Sequence, residues 1–201
     1  MFDSSLRKLI NAPLDAAGAR LARLGVGADQ VTVAGFAAGI VGAVLIGLGH
    51  FWLALAAIVL GRLADGLDGA VARATRRTDR GGYLDIVLDF LFYAAVPLAF
   101  AVHDPASNAL AAAFLLAGIV ANGAAFLAFA IMAEKRALTT RAQGLKSLYY
   151  LAGLMEGGET IVFFVAFCLF PGWFAVLACV FAALCLASAL GRIVIAWHVF
   201  D

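Results

Sequence analysis

Six long apolar stretches separated by turn residues restrict this chain to a helical membrane fold, because a segment in lipid must satisfy its own backbone hydrogen bonds. The expected helices run from Val31 to Gly49, Phe51 to Thr75, Leu84 to Val102, Ser107 to Ala133, Leu148 to Phe170 and Trp173 to Val199. Each is close to the ~20 residues that a helix needs to cross a bilayer. Turn signals stand between them at Gly49-His50, Arg80-Gly81-Gly82, His103-Asp104-Pro105 and Pro171-Gly172. The composition agrees, with 65% hydrophobic residues, 13% charged residues and a mean hydropathy of +1.01. We therefore expect an all-α membrane protein with a single domain over residues 1–201, comprising an N-terminal segment (1–30) and a six-helix bundle (31–201).

The charged residues orient this bundle. Arg7, Lys8, Arg20 and Arg23 lie in the N-terminal segment; Arg76, Arg77, Arg80, Lys135, Arg136, Arg141 and Lys146 fall in two of the loops. The loops around His50, at 103–106 and at Pro171-Gly172 carry no Lys or Arg. Basic residues are retained on the cytoplasmic side, so both termini and both basic loops are expected there. With a net charge of +1 and no basic stripe, no nucleic-acid partner is expected. The opening MFDSSLRKLI has no continuous apolar core before its first charges, so no cleavable signal peptide is expected. Leu6, Leu9, Ile10, Leu14, Ala17, Leu21 and Leu24 recur at helical spacing among arginines and a lysine, the pattern of an interfacial amphipathic helix. Pro13 either divides that helix or starts it. Cys168, Cys179 and Cys185 read as packing residues, His50, His103 and His198 as interfacial, and Trp52, Trp173 and Trp197 as an aromatic belt.

Against this apolar background stands DGLDGAVARATRRTDRGGYLDIVLD, from Asp65 to Asp89. Ionisable residues within membrane segments are costly and mark functional sites. At about 100° per residue, Asp65, Asp68 and Ala72 share one stripe of the second helix, while Asp85 and Asp89 share one stripe of the third. A short turn joins these helices, so the two stripes can face each other and gather four carboxylates. Like charges this close oppose one another's ionisation, which a divalent cation relieves. Carboxylate-only ligation suits Mg²⁺, Mn²⁺ or Ca²⁺, and a two-ion site suits phosphoryl chemistry. Gly69 and Gly82 leave backbone open to a ligand, and Arg73 has the fork geometry that fits phosphate.

The stretch resembles the signature of the CDP-alcohol phosphotransferase (CDP-alcohol phosphatidyltransferase) family, D-x-x-D-G-x-x-A-R, eight residues, then G-x-x-x-D-x-x-x-D. It does so at Asp65, Asp68, Gly69, Ala72, Arg73, Gly82, Asp85 and Asp89. The resemblance implies a bacterial inner-membrane enzyme using two divalent ions, Mg²⁺ or Mn²⁺. Its reaction would move a substituted phosphate from a CDP-linked donor, usually CDP-diacylglycerol, to an alcohol, releasing CMP. It further implies that Asp65, Asp68 and Asp85 are the principal metal ligands, with Asp89 sharing the metals and acting as general base. Asp85 would then count with Asp89 as catalytic, Gly69, Ala72, Arg73 and Gly82 would shape the CDP pocket, and the protein would form homodimers. Many members read Pro-Asn-x-x-Thr at the start of the first membrane helix, where this chain has Ala28-Asp29-Gln30-Val31-Thr32. The retained Thr32 either lines the nucleotide pocket or, like Asp29, caps the helix.

The acceptor end is less defined. A phosphorylated acceptor such as glycerol 3-phosphate or an inositol phosphate needs a second anion site, for which Lys135, Arg136, Arg141, Lys146 and Arg192 are candidates. Arg192 stands out because an unpaired guanidinium inside an apolar helix is expensive. Arg62 reads as a counter-ion to the aspartates or to Glu156 and Glu159. Those two acids are expected two to three turns into the fifth helix, either facing an acceptor chamber or paired with Arg62 or Arg192. A catalytically silent lipid- or nucleotide-binding protein and a transporter are the alternatives to an enzyme. The intact set of aspartates weighs against the first, and the lack of paired repeats with interrupted helices against the second.

Overall fold

The computed structural model describes residues 3–136 and 155–200, with side chains from residue 13 onward. Its regular structure is helical throughout: α1 (Asp3–Arg23), α2 (Ala28–Gly47), α3 (Phe51–Ala74), α4 (Asp79–His103), α5 (Pro105–Lys135), α6 (Gly157–Leu169) and α7 (Phe174–Val199), with a 3₁₀ turn at Pro171–Trp173 before α7. Four segments, Ala28–Gly47, Asp79–His103, Pro105–Lys135 and Pro171–Val199, are long and apolar enough to cross a membrane. The backbone gathers into two compact units, Met1–Ala95 and Val96–Asp201.

In the first unit, glycines set how closely the helices pack. A Cβ on Gly61 would lie 2.8 Å from the Gly35 carbonyl oxygen, and one on Gly42 would lie 3.2 Å from the Ala54 carbonyl oxygen. At Gly39 a Cβ would meet the Phe92 ring at 2.8 Å. Gly35, Gly39 and Gly42 thus make one small-residue stripe on α2, which lets α3 approach through its backbone and admits Phe92 of α4. Helix α1 docks on α3 by the same means: a Cβ on Gly18 would strike Ala70 Cβ at 2.6 Å and the Val71 nitrogen at 2.9 Å. The helix is continuous through Pro13, which therefore neither divides nor starts it. Leu6, Leu9 and Ile10 have side chains outside the described residues, and Leu24 is exposed.

In the second unit, Gly118 of α5 faces the backbone of α7, where a Cβ would come within 3.0 Å of the Ala182 carbonyl oxygen. Phe100, Phe164, Phe167, Phe174 and Phe181 are fully buried, with Phe100 and Phe174 stacked at 4.3 Å. Asp104 caps α5, accepting from the Ser107 N–H at 3.2 Å, with Pro105 in the first turn where its missing N–H costs nothing. Cys168, Cys179 and Cys185 are free thiols, of which Cys179 is exposed rather than packed. Trp52, Trp173 and Trp197 are exposed near helix ends.

Two expectations are corrected here. Arg80-Gly81-Gly82 is not a turn but part of the first turns of α4; the chain reverses at residues 75–78 instead. Thr78 explains this, since its hydroxyl accepts from the Gly81 N–H at 3.0 Å and so caps a helix that glycine alone would not stop. Glu156 and Glu159 are not deep in a helix either. Glu156 is the N-cap of α6, and its N–H donates to the Glu159 carboxylate at 3.2 Å, so both acids serve the positive end of that helix. The part of the expected fifth helix before Met155 lies outside the described residues.

Replacing Gly61 by alanine is expected to lower stability by about 1–3 kcal/mol, the range for overpacking against a backbone that must shift. Gly172→Ala, where a Cβ meets nothing within 4 Å, is expected to leave the thermal midpoint unchanged. Thermal unfolding of both variants in detergent checks the contrast.

Candidate active site

The first unit holds a carboxylate cluster. Asp65 and Asp68, one turn apart on α3, and Asp85 on α4 each offer an oxygen, and these atoms lie within 4.8 Å of one another. Asp68 is only 8% exposed, and its Oδ2 is buried without a hydrogen-bond partner among the described residues. A buried acceptor without a donor is costly unless a ligand satisfies it. The donor set, three carboxylates within coordinating reach of one centre, fits a hard divalent cation.

Asp89 stands apart from these three. Its Oδ1 accepts from Arg62 Nη1 at 2.7 Å, and its Oδ2 from the Tyr93 hydroxyl at 3.2 Å. Arg62 also lies 3.6 Å from Asp65 and sits over the Phe92 ring, 4.7 Å from its centroid. The guanidinium thus bridges two acids while resting on an aromatic face that favours a cation. Of the two readings of Arg62, counter-ion to the aspartates is the one the geometry gives.

Beside the cluster opens a cavity of about 320 Å³. Asp68, Gly69, Ala72, Arg73, Gly82 and Asp85 line it, as does Thr32. A Cβ on Gly82 would meet nothing within 4 Å, so the glycine leaves the cavity open there. The Thr32 hydroxyl donates to the Ala28 carbonyl at 3.0 Å within α2, while the N-cap of that helix is Gly27, whose N–H donates to Gln30. Thr32 therefore lines the cavity and does not cap. Asp29 does not cap either; it pairs with Arg80, whose Nε lies 2.9 Å away.

The acceptor candidates lie in the second unit. Arg192, 9% exposed, donates to the Asn122 side-chain oxygen at 2.5 Å and sits 5.3 Å from the Phe126 ring centroid. Asn122 in turn donates to the Met155 carbonyl at 3.0 Å. Arg62 is paired with Asp65 and Asp89 rather than with either glutamate, whereas the charge of Glu156 acts on Arg192 without a salt bridge between them among the described residues. Arg136 reaches the Val199 carbonyl at the end of α7, a C-terminal capping contact, and Lys135 is exposed at the end of α5. Arg141 and Lys146 lie outside the described residues.

Several site residues escaped the sequence pattern. Tyr93 carried a signal, a lone polar aromatic four residues after Asp89 on the same helical stripe. Asp15, which accepts from Arg73 Nε at 3.1 Å and Nη2 at 2.6 Å, carried none, because only folding brings α1 to α3. Arg76 and Arg77, whose charge reads as a topology signal, also line the cavity wall, as does Thr78, which carried no signal of its own.

Comparison with known proteins places these features. The CDP-alcohol phosphatidyltransferase family model matches residues 26–200. The chain is 46% identical over 193 residues to "Inner membrane protein YnjF" of Escherichia coli K12, covering 96% of this chain and 94% of that protein. It is 35% identical over 94 residues to "Archaetidylinositol phosphate synthase" of Pyrococcus horikoshii, covering 46% of this chain and 50% of that protein. The fold is similar to the crystal structure of Mycobacterium tuberculosis phosphatidylinositol phosphate synthase (PgsA1) with CDP-DAG bound. That likeness has a TM-score of 0.72 at 22% identity and covers 92% of this chain and 93% of that one.

Removing the bridging cation by Arg62→Met leaves Asp65 and Asp89 without it. The expected loss of stability is about 2 kcal/mol, less than for a fully buried pair because the Arg62 and Asp89 side chains keep 15% and 25% exposure. Adding Asp89→Asn to the same chain should recover part of the loss. Chemical or thermal unfolding of the two single variants and the double variant reads the coupling.

Proposed function

This chain belongs to the CDP-alcohol phosphatidyltransferase family and is a membrane transferase of phospholipid biosynthesis; on that premise we propose that it transfers a phosphatidyl group from CDP-diacylglycerol to an alcohol, releasing CMP. The observation that carries this reading is the gathering of six signature residues around one cavity, with Asp65 completing the carboxylate group at its wall.

Asp65, Asp68 and Asp85 would hold the divalent ions, Mg²⁺ or Mn²⁺. Bound there, the ions supply charge neutralisation for the phosphate oxygens and the departing CMP. Thr32, Gly69, Ala72 and Gly82 form a wall along which the nucleotide can lie close to backbone, and Arg73 provides a fixed cation for its phosphates. In the transfer, the acceptor hydroxyl oxygen bonds to the lipid-bearing phosphorus. The anhydride bond from that phosphorus to the CMP phosphate breaks, CMP leaves with the electron pair, and the hydroxyl proton passes to Asp89. Arg62 and Tyr93 fix the Asp89 carboxylate while leaving lone pairs on both oxygens for that proton. This reading makes Asp89 the base rather than a metal ligand, narrower than the role expected from the signature.

A phosphorylated acceptor, such as glycerol 3-phosphate or an inositol phosphate, is supported by Arg192, a nearly buried cation whose direct contacts are an amide and an aromatic ring, with the charge of Glu156 acting on it without a salt bridge among the described residues. In the membrane, α2 to α7 would form six spans of one domain, with α1 at the cytoplasmic interface and the cavity opening to that side. The basic residues at 76–80 and 135–146 support this orientation. The exposed apolar surface along the spans leaves room for the homodimer that the family resemblance implies.

With CDP-diacylglycerol and Mg²⁺ or Mn²⁺, the purified protein is expected to release CMP only when a matching acceptor is present. The panel would include glycerol 3-phosphate, inositol phosphate, serine, phosphatidylglycerol and water. Chelation should stop the reaction reversibly, and Asp68→Asn or Asp89→Asn should reduce it by about a hundredfold or more. Metal-dependent donor binding without CMP release on any acceptor would favour a catalytically silent lipid- or nucleotide-binding protein.

Gly82→Leu tests the cavity separately. Its side chain would start in open space, so folding should survive while CDP binding is lost. Retained CDP affinity in a folded variant would place the nucleotide elsewhere.

A further inference from the structure

Arg73 reaches the cavity from α3, yet its orientation is held from α1. Its Nε and Nη2 both donate to Oδ1 of Asp15, at 3.1 and 2.6 Å, which occupies one edge of the guanidinium plane. The remaining terminal nitrogen, Nη1, lies over Gly69, where an added Cβ would come within 3.4 Å of it. Gly69 and Arg73 both line the cavity. A guanidinium is planar and rigid, so fixing one edge fixes the direction of its other donors.

The seat of α1 makes this contact reproducible rather than incidental. Leu14 lies against Gly66, and Gly18 lies so close to Ala70 and Val71 that even a Cβ would clash with backbone. Asp15 lies between these two contacts. Its pair with Arg73 is half-exposed, 53% and 41% for the two side chains, so it adds little to stability. An exposed pair that contributes little to folding but aims a cation into a cavity has its effect on binding.

We infer that Asp15 is a positioning residue for the donor: it turns the free edge of Arg73 toward the nucleotide's phosphates and so makes α1 part of the nucleotide site. The inference rests on the reading of the cavity as the CDP site. It assigns Asp15 no contact with the donor.

The test is CDP affinity, measured by calorimetry with Mg²⁺ or Mn²⁺ on the full chain in detergent. The variants are Asp15→Asn, Asp15→Glu, Arg73→Ala and the Asp15→Asn/Arg73→Ala pair. Asp15→Asn is expected to weaken CDP binding about fivefold with an unchanged thermal midpoint, and Asp15→Glu to restore part of the loss. In the Arg73→Ala background, Asp15→Asn should add nothing. In turnover, Asp15→Asn should raise the KM for the donor while kcat stays within about twofold. CDP binding by Asp15→Asn equal to or tighter than the parent's overturns the inference alone, as do losses that multiply in the double variant. A parent that binds no CDP overturns the nucleotide reading and this inference with it.

Discussion

Carboxylates in an apolar helix are unstable neighbours, and Asp65, Asp68 and Asp85 bring oxygens within 4.8 Å of one another. Their compensation is uneven. Arg62 reaches Asp65 and Asp89 from one side, whereas Asp68 keeps a buried oxygen, Oδ2, without a donor among the described residues. The protein thus neutralises part of its own acidity and leaves the remainder for what binds. A cluster paired throughout with basic side chains would leave fewer carboxylate oxygens free to coordinate a cation.

That cluster depends on helix spacing. Gly35 and Gly61 let α2 and α3 meet backbone to backbone, and this proximity puts Thr32 on the same cavity wall as Asp68, Gly69 and Ala72. Gly18 does the same for α1, which is how Asp15 comes to touch Arg73. Such close approach of backbones through small residues is what packs these helices together. The glycines that shape the fold therefore also fix the distances at the site.

Much of this was legible in the sequence. All of the expected helices but the fifth lie close to those observed, the fifth starting at Gly157 rather than Leu148, and the spacing of Asp65, Asp68 and Asp85 gave their convergence. What escaped notice depended on contacts between distant segments. Nothing local marks Asp15 or ties Asp29 to Arg80, because those pairs exist only once α1 and α2 are in place. Gly81-Gly82 looked like a turn because glycine is the usual breaker, yet the Thr78 hydroxyl starts the helix before them. Glu156 and Glu159 looked like acids within a long apolar run because the start of α6 was misplaced; at a helix N-terminus they are ordinary capping groups.

Helix α3 carries Arg62, Asp65, Asp68 and Arg73 and is not among the four segments apolar enough to cross a membrane by composition. Its polar groups are satisfied by α1 and α4 or left for a ligand, not by lipid. Such a helix is packed chiefly through α2, whose glycine stripe it matches. The two are joined by a tight turn at Gly49, where φ is 81°. The residues that equip the site thereby tie α3 to its surroundings: α1 and α4 meet its charged side chains and α2 meets its glycine face, so this helix depends on three neighbours for what its own sequence does not supply.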